Sequence, residues 1–407
     1  MGKRVLYISY DGMTDPLGQS QVIPYLKGLS LLGHQVAIVS AEKKESFLQL
    51  GQAIQKILTA ANIEWRPVLY SNAFPGFSAY ATFRRLRRKA IQRQHKNPFN
   101  IVHCRSYIPA LIGMELKKRS GLKFIFDMRG FWADERVEGG IWDLRNPLYR
   151  SAFQFFKKKE REFLSESDAV ISLTSAAKVE ILSWNELKIN SGKISVIPCC
   201  ADLDFFSEKN TDLKKQQQLR DELGIQAADF ILCYSGSTGT WYLLNDMLKF
   251  FRCLLDEKPN SKFLFITPDE KEKIVSAATA IGIEKSSIIV VFAKRDAMPL
   301  LLSLSHAAIF FIKNSFSKKA SSPTKMGEFM SMGIPIVCND GVGDVGTIMS
   351  TCNAGILLPN LEDASLRNGV KQILTSSFPK EEIKDAAMHF YSLKQGVKQY
   401  DEIYSSL

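Results

Sequence analysis

The sequence predicts an α/β protein made of two successive halves, each with its own parallel sheet. Three observations predict it. Short apolar runs alternate with helix-length stretches, the order that parallel strands joined by right-handed crossovers require. The alternation stops at a polar stretch, roughly residues 207–221, and restarts at Phe230. The segments just after the apolar runs are rich in Gly, Arg, Asp and Ser, which a packed core has no use for. In open α/β sheets that edge is where ligands sit.

In the first half, Val5–Ile8 reads as a strand, followed by a Gly-containing loop (11–20) and an apolar-periodic helix from Val22 to Leu32 closed by Gly33. Strands follow at 35–39, 101–104, 123–126, 169–173 and 194–197, with a helix near 110–118. In the second half, strands are expected at 230–236, 263–266, 288–291, 308–311 and 334–338. The run Lys214–Gln218 between the halves reads as a solvated helix face or loop.

Composition sets the boundaries. The chain has 407 residues, enough for two or three domains, and 45% hydrophobic content, too much for general disorder. A net charge of +11 points to an anionic partner: a nucleotide, a phospholipid surface or nucleic acid. No recognised DNA or RNA module is visible, which disfavours nucleic acid. The seven cysteines have no regular spacing and the five histidines no ligand spacing, so reduced thiols, a cytosolic setting and no metal site are expected. The N-terminal apolar run is too short for a signal-peptide core, and no apolar stretch is long enough to span a bilayer. Membrane contact is therefore expected to be peripheral.

The most telling segment is 321–333, Ser-Ser-Pro-Thr-Lys-Met-Gly-Glu-Phe-Met-Ser-Met-Gly. It reads as a short helix with Ser322 as N-cap, Pro323 as first helical residue and Gly333 as left-handed C-cap. The start of such a helix presents unpaired N–H groups and partial positive charge, a seat for phosphate. Thr324 and Glu328 are four residues apart and share a face, so a carboxylate lies one turn below that seat, where it can accept hydrogen bonds from ribose hydroxyls. Lys325 adds a cation. The pattern is that of a nucleoside-diphosphate site.

Other candidates follow strand ends. Gly18 offers close backbone approach beside a helix start. Arg105 follows one strand and is a candidate contact for an acceptor or a phosphate. Asp127 and Arg129 follow another and lead into the charged and aromatic segment 130–136, a cleft lining or a salt-bridged strand end. His103 reads as a buried, hydrogen-bonded histidine. The basic segment 83–93 has apolar residues at 83, 86, 90 and 91, which is helical spacing. It reads as a helix drawn to anionic lipid, with Phe74, Pro75, Phe77 and Tyr80 inserting at the headgroups.

Taken together, the 322–337 segment, the Gly-rich 340–344, Asp15–Ser20, Val196–Pro198 and Tyr234–Ser237 resemble the GT-B glycosyltransferases, and among them the large retaining bacterial family 4. The resemblance covers nearly the whole chain. It implies two Rossmann-like domains facing across a cleft: residues 1–205 binding the acceptor and 206–385 the nucleotide sugar, with a terminal helix, about 386–407, packing back on the first. It implies transfer of a sugar from a nucleotide-diphosphate sugar to a hydroxyl with retention, without a metal or other cofactor. Asp127 falls where the family places a residue close to the reacting sugar carbon, so Asp127, Arg129 and Glu328 are the expected catalytic residues. Gly18, Arg105, Gly236, Ser237, Thr324, Lys325 and Lys294 are the expected substrate contacts. Two departures stand out. The family's pair of glutamates eight residues apart is reduced to Glu328, with Ala320 at the first position, and Ser237 and Thr238 stand where Arg and Lys are common. Lys325, Lys294 or Arg295 would then supply the phosphate cation. The expected acceptor is a lipid-linked glycan in surface polysaccharide or lipopolysaccharide assembly, reached from the cytoplasmic face of the membrane. The alternatives are a GT-B epimerase or phosphorylase, or a non-catalytic subunit of a glycan-assembly complex.

Overall fold

A computed structural model describes residues 2–71 and 77–407. The chain forms two compact units, Met1–Pro198 with Leu393–Leu407, and Cys199–Ser392. The change of unit at Pro198 lies seven residues before the expected 205. The C-terminal segment is two helices, not one from 386: Lys380–Tyr391 belongs to the second unit and Leu393–Ser406 to the first.

The first unit holds seven strands: β1 (Arg4–Ser9), β2 (Gln35–Glu42), β3 (Glu64–Leu69), β4 (Ile101–Arg105), β5 (Lys123–Asp127), β6 (Ala169–Ser172) and β7 (Ile194–Val196). They lie in the order β3-β2-β1-β4-β5-β6-β7, every pair parallel. The second holds β8 (Phe230–Ser235), β9 (Ser261–Ile266), β10 (Ile288–Val291), β11 (Ala307–Phe310), β12 (Ile336–Asn339) and β13 (Gly355–Leu358), in the order β10-β9-β8-β11-β12-β13 and again all parallel. Counted from its own first strand, each sheet runs 3-2-1-4-5-6, the doubly wound Rossmann arrangement, and the first sheet adds a seventh strand at that end. In both sheets the first strand and the next one across reverse direction of winding, so ligand groups collect at the carboxyl ends of β1 and β4, and of β8 and β11.

Two strands were not apparent in the sequence, and both are edges. β3 contains Pro67, whose missing N–H an edge strand tolerates. β13 begins at Gly355, where φ is +138° and a Cβ would stand 2.0 Å from the carbonyl oxygen of Ile336. The central strands are near-continuous apolar runs, as burial on both faces demands. Leu6, Ile38, Val102, Phe124, Val170, Leu232, Phe263, Ile309 and Val337 are all fully buried. Each such side chain contributes on the order of 1.5–3 kcal/mol.

The helix Leu393–Ser406 closes the first unit against the helix Ile23–Leu31. Gly28 permits the approach: a Cβ there would lie 2.6 Å from a methyl of Val397. His34 Nδ1 accepts from the backbone N–H of Lys3 at 3.1 Å, so Nε2 carries the proton and donates to Asp401 at 2.7 Å. Tyr400 and Tyr404 are buried in the same contact.

The basic helix spans Phe77–Lys96. Its Leu86 and Ala90 are buried against the unit's own sheet, which leaves Arg84, Arg85, Arg88 and Lys89 outward. The apolar stripe read from the sequence as membrane-facing is therefore core. Phe74, Pro75 and the side chain of Phe77 lie outside the described residues; Tyr80 is exposed. Gly28→Leu is expected to lower stability by about 1–3 kcal/mol by prising the two helices apart. The midpoint of urea unfolding measures it.

Candidate active site

In the second unit the predicted helix forms at Thr324–Ser331, and its caps sit one residue from where the sequence placed them. Pro323 (φ −69°, ψ 110°) is the N-cap and Thr324 the first helical residue; no side chain caps the end. The Ser322 hydroxyl instead accepts from the N–H of Cys199 at 3.1 Å. At the other end Met332 is the C-cap and Gly333 turns left-handed, φ +67°. The N–H of Gly333 donates to Met330 O at 2.9 Å and that of Ile334 to Phe329 O at 3.1 Å, a Schellman closure.

Lys325, the second helical residue, is buried, and its Nζ has no hydrogen-bond partner. The amine sits 3.9 Å from the ring centre of Tyr234 and 3.7 Å from that of Tyr242. It points at the turn after β8, where Gly236 has φ +107° and a Cβ would come within 3.1 Å of the amine. The dihedral angle calls for glycine there, and a Cβ would crowd the amine. Glu328 is buried one turn below, with Arg295 Nη1 at 3.4 Å. The Arg295 guanidinium also rests 5.5 and 5.3 Å from the rings of Phe205 and Phe206. Burial pushes the Lys325 amine well below the usual lysine range, with the Glu328 charge opposing. Burial likewise raises the Glu328 carboxyl, and Arg295 and Lys325 only moderate it.

The structure brings Thr324, Lys325, Glu328 and Gly236 together. Lys294 differs: it is exposed, and its neighbour Arg295 is the residue that reaches Glu328. Ser237 faces an acid. Its hydroxyl donates to Asp269 at 3.2 Å, and the Thr238 hydroxyl donates to the same carboxylate at 2.6 Å. Burial would raise Asp269, but these bonds outweigh it and hold the carboxyl below its usual range. The Gly-rich loop after β12 folds onto the segment after β11: Gly341 packs on Asn314, and the N–H of Gly343 donates to Lys318 O at 2.8 Å.

In the first unit a second polar cluster sits at the carboxyl ends of β4 and β5, where Arg105 and Asp127 are partners in register. Both are buried. Arg105 Nε donates to Asp11 at 3.0 Å, while its Nη1 is buried without a partner. Asp127 Oδ2 lies 3.5 Å from His103 Nε2 and 3.5 Å from the Tyr400 hydroxyl, and Oδ1 lies 3.8 Å from Arg129 Nη1. Ser106 (φ +68°) and Arg129 (φ +58°) are both left-handed without being glycine, the kind of backbone that concentrates at functional sites. Burial would raise Asp127, yet Arg129, His103 and Arg105 outweigh it and keep the carboxyl below its usual range. It is a buried, ionised acceptor. His103 Nδ1 shares a 2.7 Å hydrogen bond with the Tyr404 hydroxyl.

At Gly18 the structure shows a packing constraint. A Cβ would stand 2.1 Å from Gly12 O and 2.6 Å from Met13 Cα, so the short helix Pro16–Gln21 packs on its own preceding loop. That loop is held by buried Glu42, which accepts from the N–H groups of Met13 (2.8 Å) and Thr14 (3.1 Å) and from the Thr14 hydroxyl (2.7 Å). Sequence reasoning missed Glu42, Asp269 and the Tyr234–Tyr242 pair around Lys325. A carboxylate as the last residue of β2 is the one signal that pointed to any of them.

Two family models match the chain: "Glycosyltransferase Family 4" over residues 21–205 and "Glycosyl transferases group 1" over residues 215–389. The chain belongs to the glycosyltransferases of GT-B fold. Solved structures agree on the fold. The Anabaena protein Alr3699/HepE, crystallised with UDP and glucose, is 14% identical with a TM-score of 0.71 and full coverage of both chains. A glycosyltransferase from Rickettsia africae is 17% identical with a TM-score of 0.73, covering 100% of this chain and 98% of that one. WaaG, a glycosyltransferase involved in lipopolysaccharide biosynthesis, is 12% identical with a TM-score of 0.67, covering 98% and 99%. No curated protein matches the chain in sequence.

His103 yields a prediction with a defined sign. Burial holds its ring below the ordinary 6.5, although Asp127 opposes this. The unfolded chain therefore binds a proton that the folded chain refuses, and stability falls as pH drops below about 6.5. Between pH 6.5 and 5, wild type is expected to lose about 1–2 kcal/mol more than His103→Gln, measured by urea unfolding at each pH.

Proposed function

We propose that this protein transfers a glycosyl group, with retention, from a nucleoside-diphosphate sugar to a hydroxyl of a lipid-linked glycan. The observation that carries the reading is the Lys325 amine: buried, without a hydrogen-bond partner, at the uncapped start of a helix and aimed at the Gly236 turn. A diphosphate supplies the partner that such a donor lacks. Glu328, one turn on, is placed to accept from ribose hydroxyls, exchanging Arg295 for them. HepE, of the same fold, has been crystallised with UDP-glucose.

The chemistry follows from where charge develops. As the anomeric carbon takes on oxocarbenium character, negative charge gathers on the departing diphosphate. The N–H groups at the start of the 324–331 helix and the Lys325 side chain stabilise it there. The leaving phosphate can accept the acceptor's proton, so retention needs no separate base. In the first unit, Asp127 is an ionised hydrogen-bond acceptor flanked by Arg105 and Arg129, suited to a sugar hydroxyl of the acceptor. No metal or organic cofactor is invoked.

A lipid-linked acceptor, and work at the inner membrane face in surface polysaccharide or lipopolysaccharide assembly, rest on the outward cations of the 77–96 helix and on the WaaG likeness. Among the described residues no helix is long and apolar enough to cross a membrane. With Leu86 and Ala90 turned inward, attraction at this helix would be electrostatic, about 1 kcal/mol per basic residue.

Two experiments test the reading. In a thermal-shift panel of UDP-, ADP- and GDP-sugars, one donor class is expected to raise the melting temperature, and Glu328→Ala to weaken its binding about 10–100-fold. Unchanged affinity would remove Glu328 from the site. In liposome sedimentation the protein is expected to prefer anionic over zwitterionic vesicles, and Arg84→Glu with Arg88→Glu to abolish the preference. Equal partition of the wild type would sink the membrane assignment.

A further inference from the structure

The surroundings of Lys325 bear on what the site binds besides nucleotide. The side chain leaves the helix at its second residue, where the backbone's partial charge is positive and opposes an ammonium. Its Nζ meets no hydrogen-bond acceptor, only the faces of Tyr234 and Tyr242. Each packed element contributes known titratable groups. From β8 come the Cys233 thiol, which burial pushes up to about 12, and Tyr234, whose hydroxyl donates to Ser237 O at 2.5 Å. From the segment before the helix Leu244–Glu257 comes Tyr242, which burial pushes up to about 12. From Lys325's own helix comes Glu328, already facing Arg295 at 3.4 Å. The loop after β9 supplies Asp269, whose carboxylate is occupied by Ser237 and Thr238.

None of these delivers an unshared negative charge to the amine. Attraction to the two ring faces falls short of what an ammonium loses on leaving water without a hydrogen-bond partner. These surroundings therefore favour the neutral amine. A diphosphate reverses the balance by bringing two or more oxygens of negative charge to the same point.

We propose that donor binding is proton-coupled: phosphate and one proton enter together, and the proton is held on Lys325 Nζ between the phosphate and the two tyrosine rings. The amine lone pair takes the proton from solvent or buffer acid; nothing is oxidised or reduced. The proposal rests on the reading of this site as the diphosphate seat.

The test is titration calorimetry on the wild-type protein with UDP-glucose, ADP-glucose and GDP-mannose at pH 8, in buffers of different ionisation heat. At pH 8 the diphosphate of a sugar nucleotide is fully ionised and the uracil and guanine ring N–H groups still hold their protons, so uptake there belongs to the protein. Uptake of up to about one proton per bound nucleotide is expected, with Kd rising by up to about tenfold per pH unit between pH 7 and 9. Lys325→Arg keeps its charge throughout and is expected to bind with no uptake and a flat pH profile. Wild-type binding without uptake would overturn proton coupling and leave the nucleotide site standing. Uptake that persists in Lys325→Arg would also overturn it, by placing the proton elsewhere. No binding by any of the three donors would overturn the site reading itself.

Discussion

A lysine amine held where water cannot reach it is the constraint around which the second unit is arranged. Lys325 enters from the start of a helix, passes under the Gly236 turn and ends between two tyrosine rings. Each neighbour is shaped by that choice. Position 236 favours glycine, Tyr234 turns its hydroxyl to a backbone carbonyl, and Glu328 is steadied by Arg295 from another segment. A fold that sought only stability would fill such a place with a leucine. That an amine stands there without a hydrogen bond is a cost the protein carries in the unliganded state, and such costs gather where ligands repay them.

The first unit handles a similar difficulty by crowding charges. Asp127, Arg105, Arg129 and His103 are close and nearly dry; the neighbouring cations and His103 keep Asp127 ionised, whereas burial, against the pull of Asp127, keeps His103 neutral. The cover is supplied by Tyr400 and Tyr404 of the last helix, whose hydroxyls reach Asp127 and His103. Backbone strain at Ser106 and Arg129 aims the chain into the cluster. Both units thus gather buried charged groups at the carboxyl ends of the strands.

Much of this was legible in the sequence because the periodicities are strong. Apolar runs four to six residues long fixed the central strands, and Pro323 and Gly333 bracketed the key helix to within a residue. Of the four edge strands, β3 and β13 escaped because β3 carries a proline and β13 a glycine, both of which edges allow and sequence patterns penalise. The site was legible only where its residues are sequence neighbours. Thr324, Lys325 and Glu328 lie on one helix. Arg295 is 33 residues from Glu328, and choosing it over Lys294 required knowing which way a loop turns. The stripe Leu86 and Ala90 shows the converse limit. Spacing identified an apolar face correctly, but a face packed on a sheet and a face laid on lipid share one pattern.

The placement of residues 393–407 has a consequence for biosynthesis. These residues belong to the first unit yet are translated after all of the second. Until they emerge from the ribosome, the floor under Asp127 and His103 is missing, and the apolar face of the helix Ile23–Leu31 stays open to water or to a chaperone. The unit begun first is therefore finished last, whereas the second, contiguous unit can mature while still tethered.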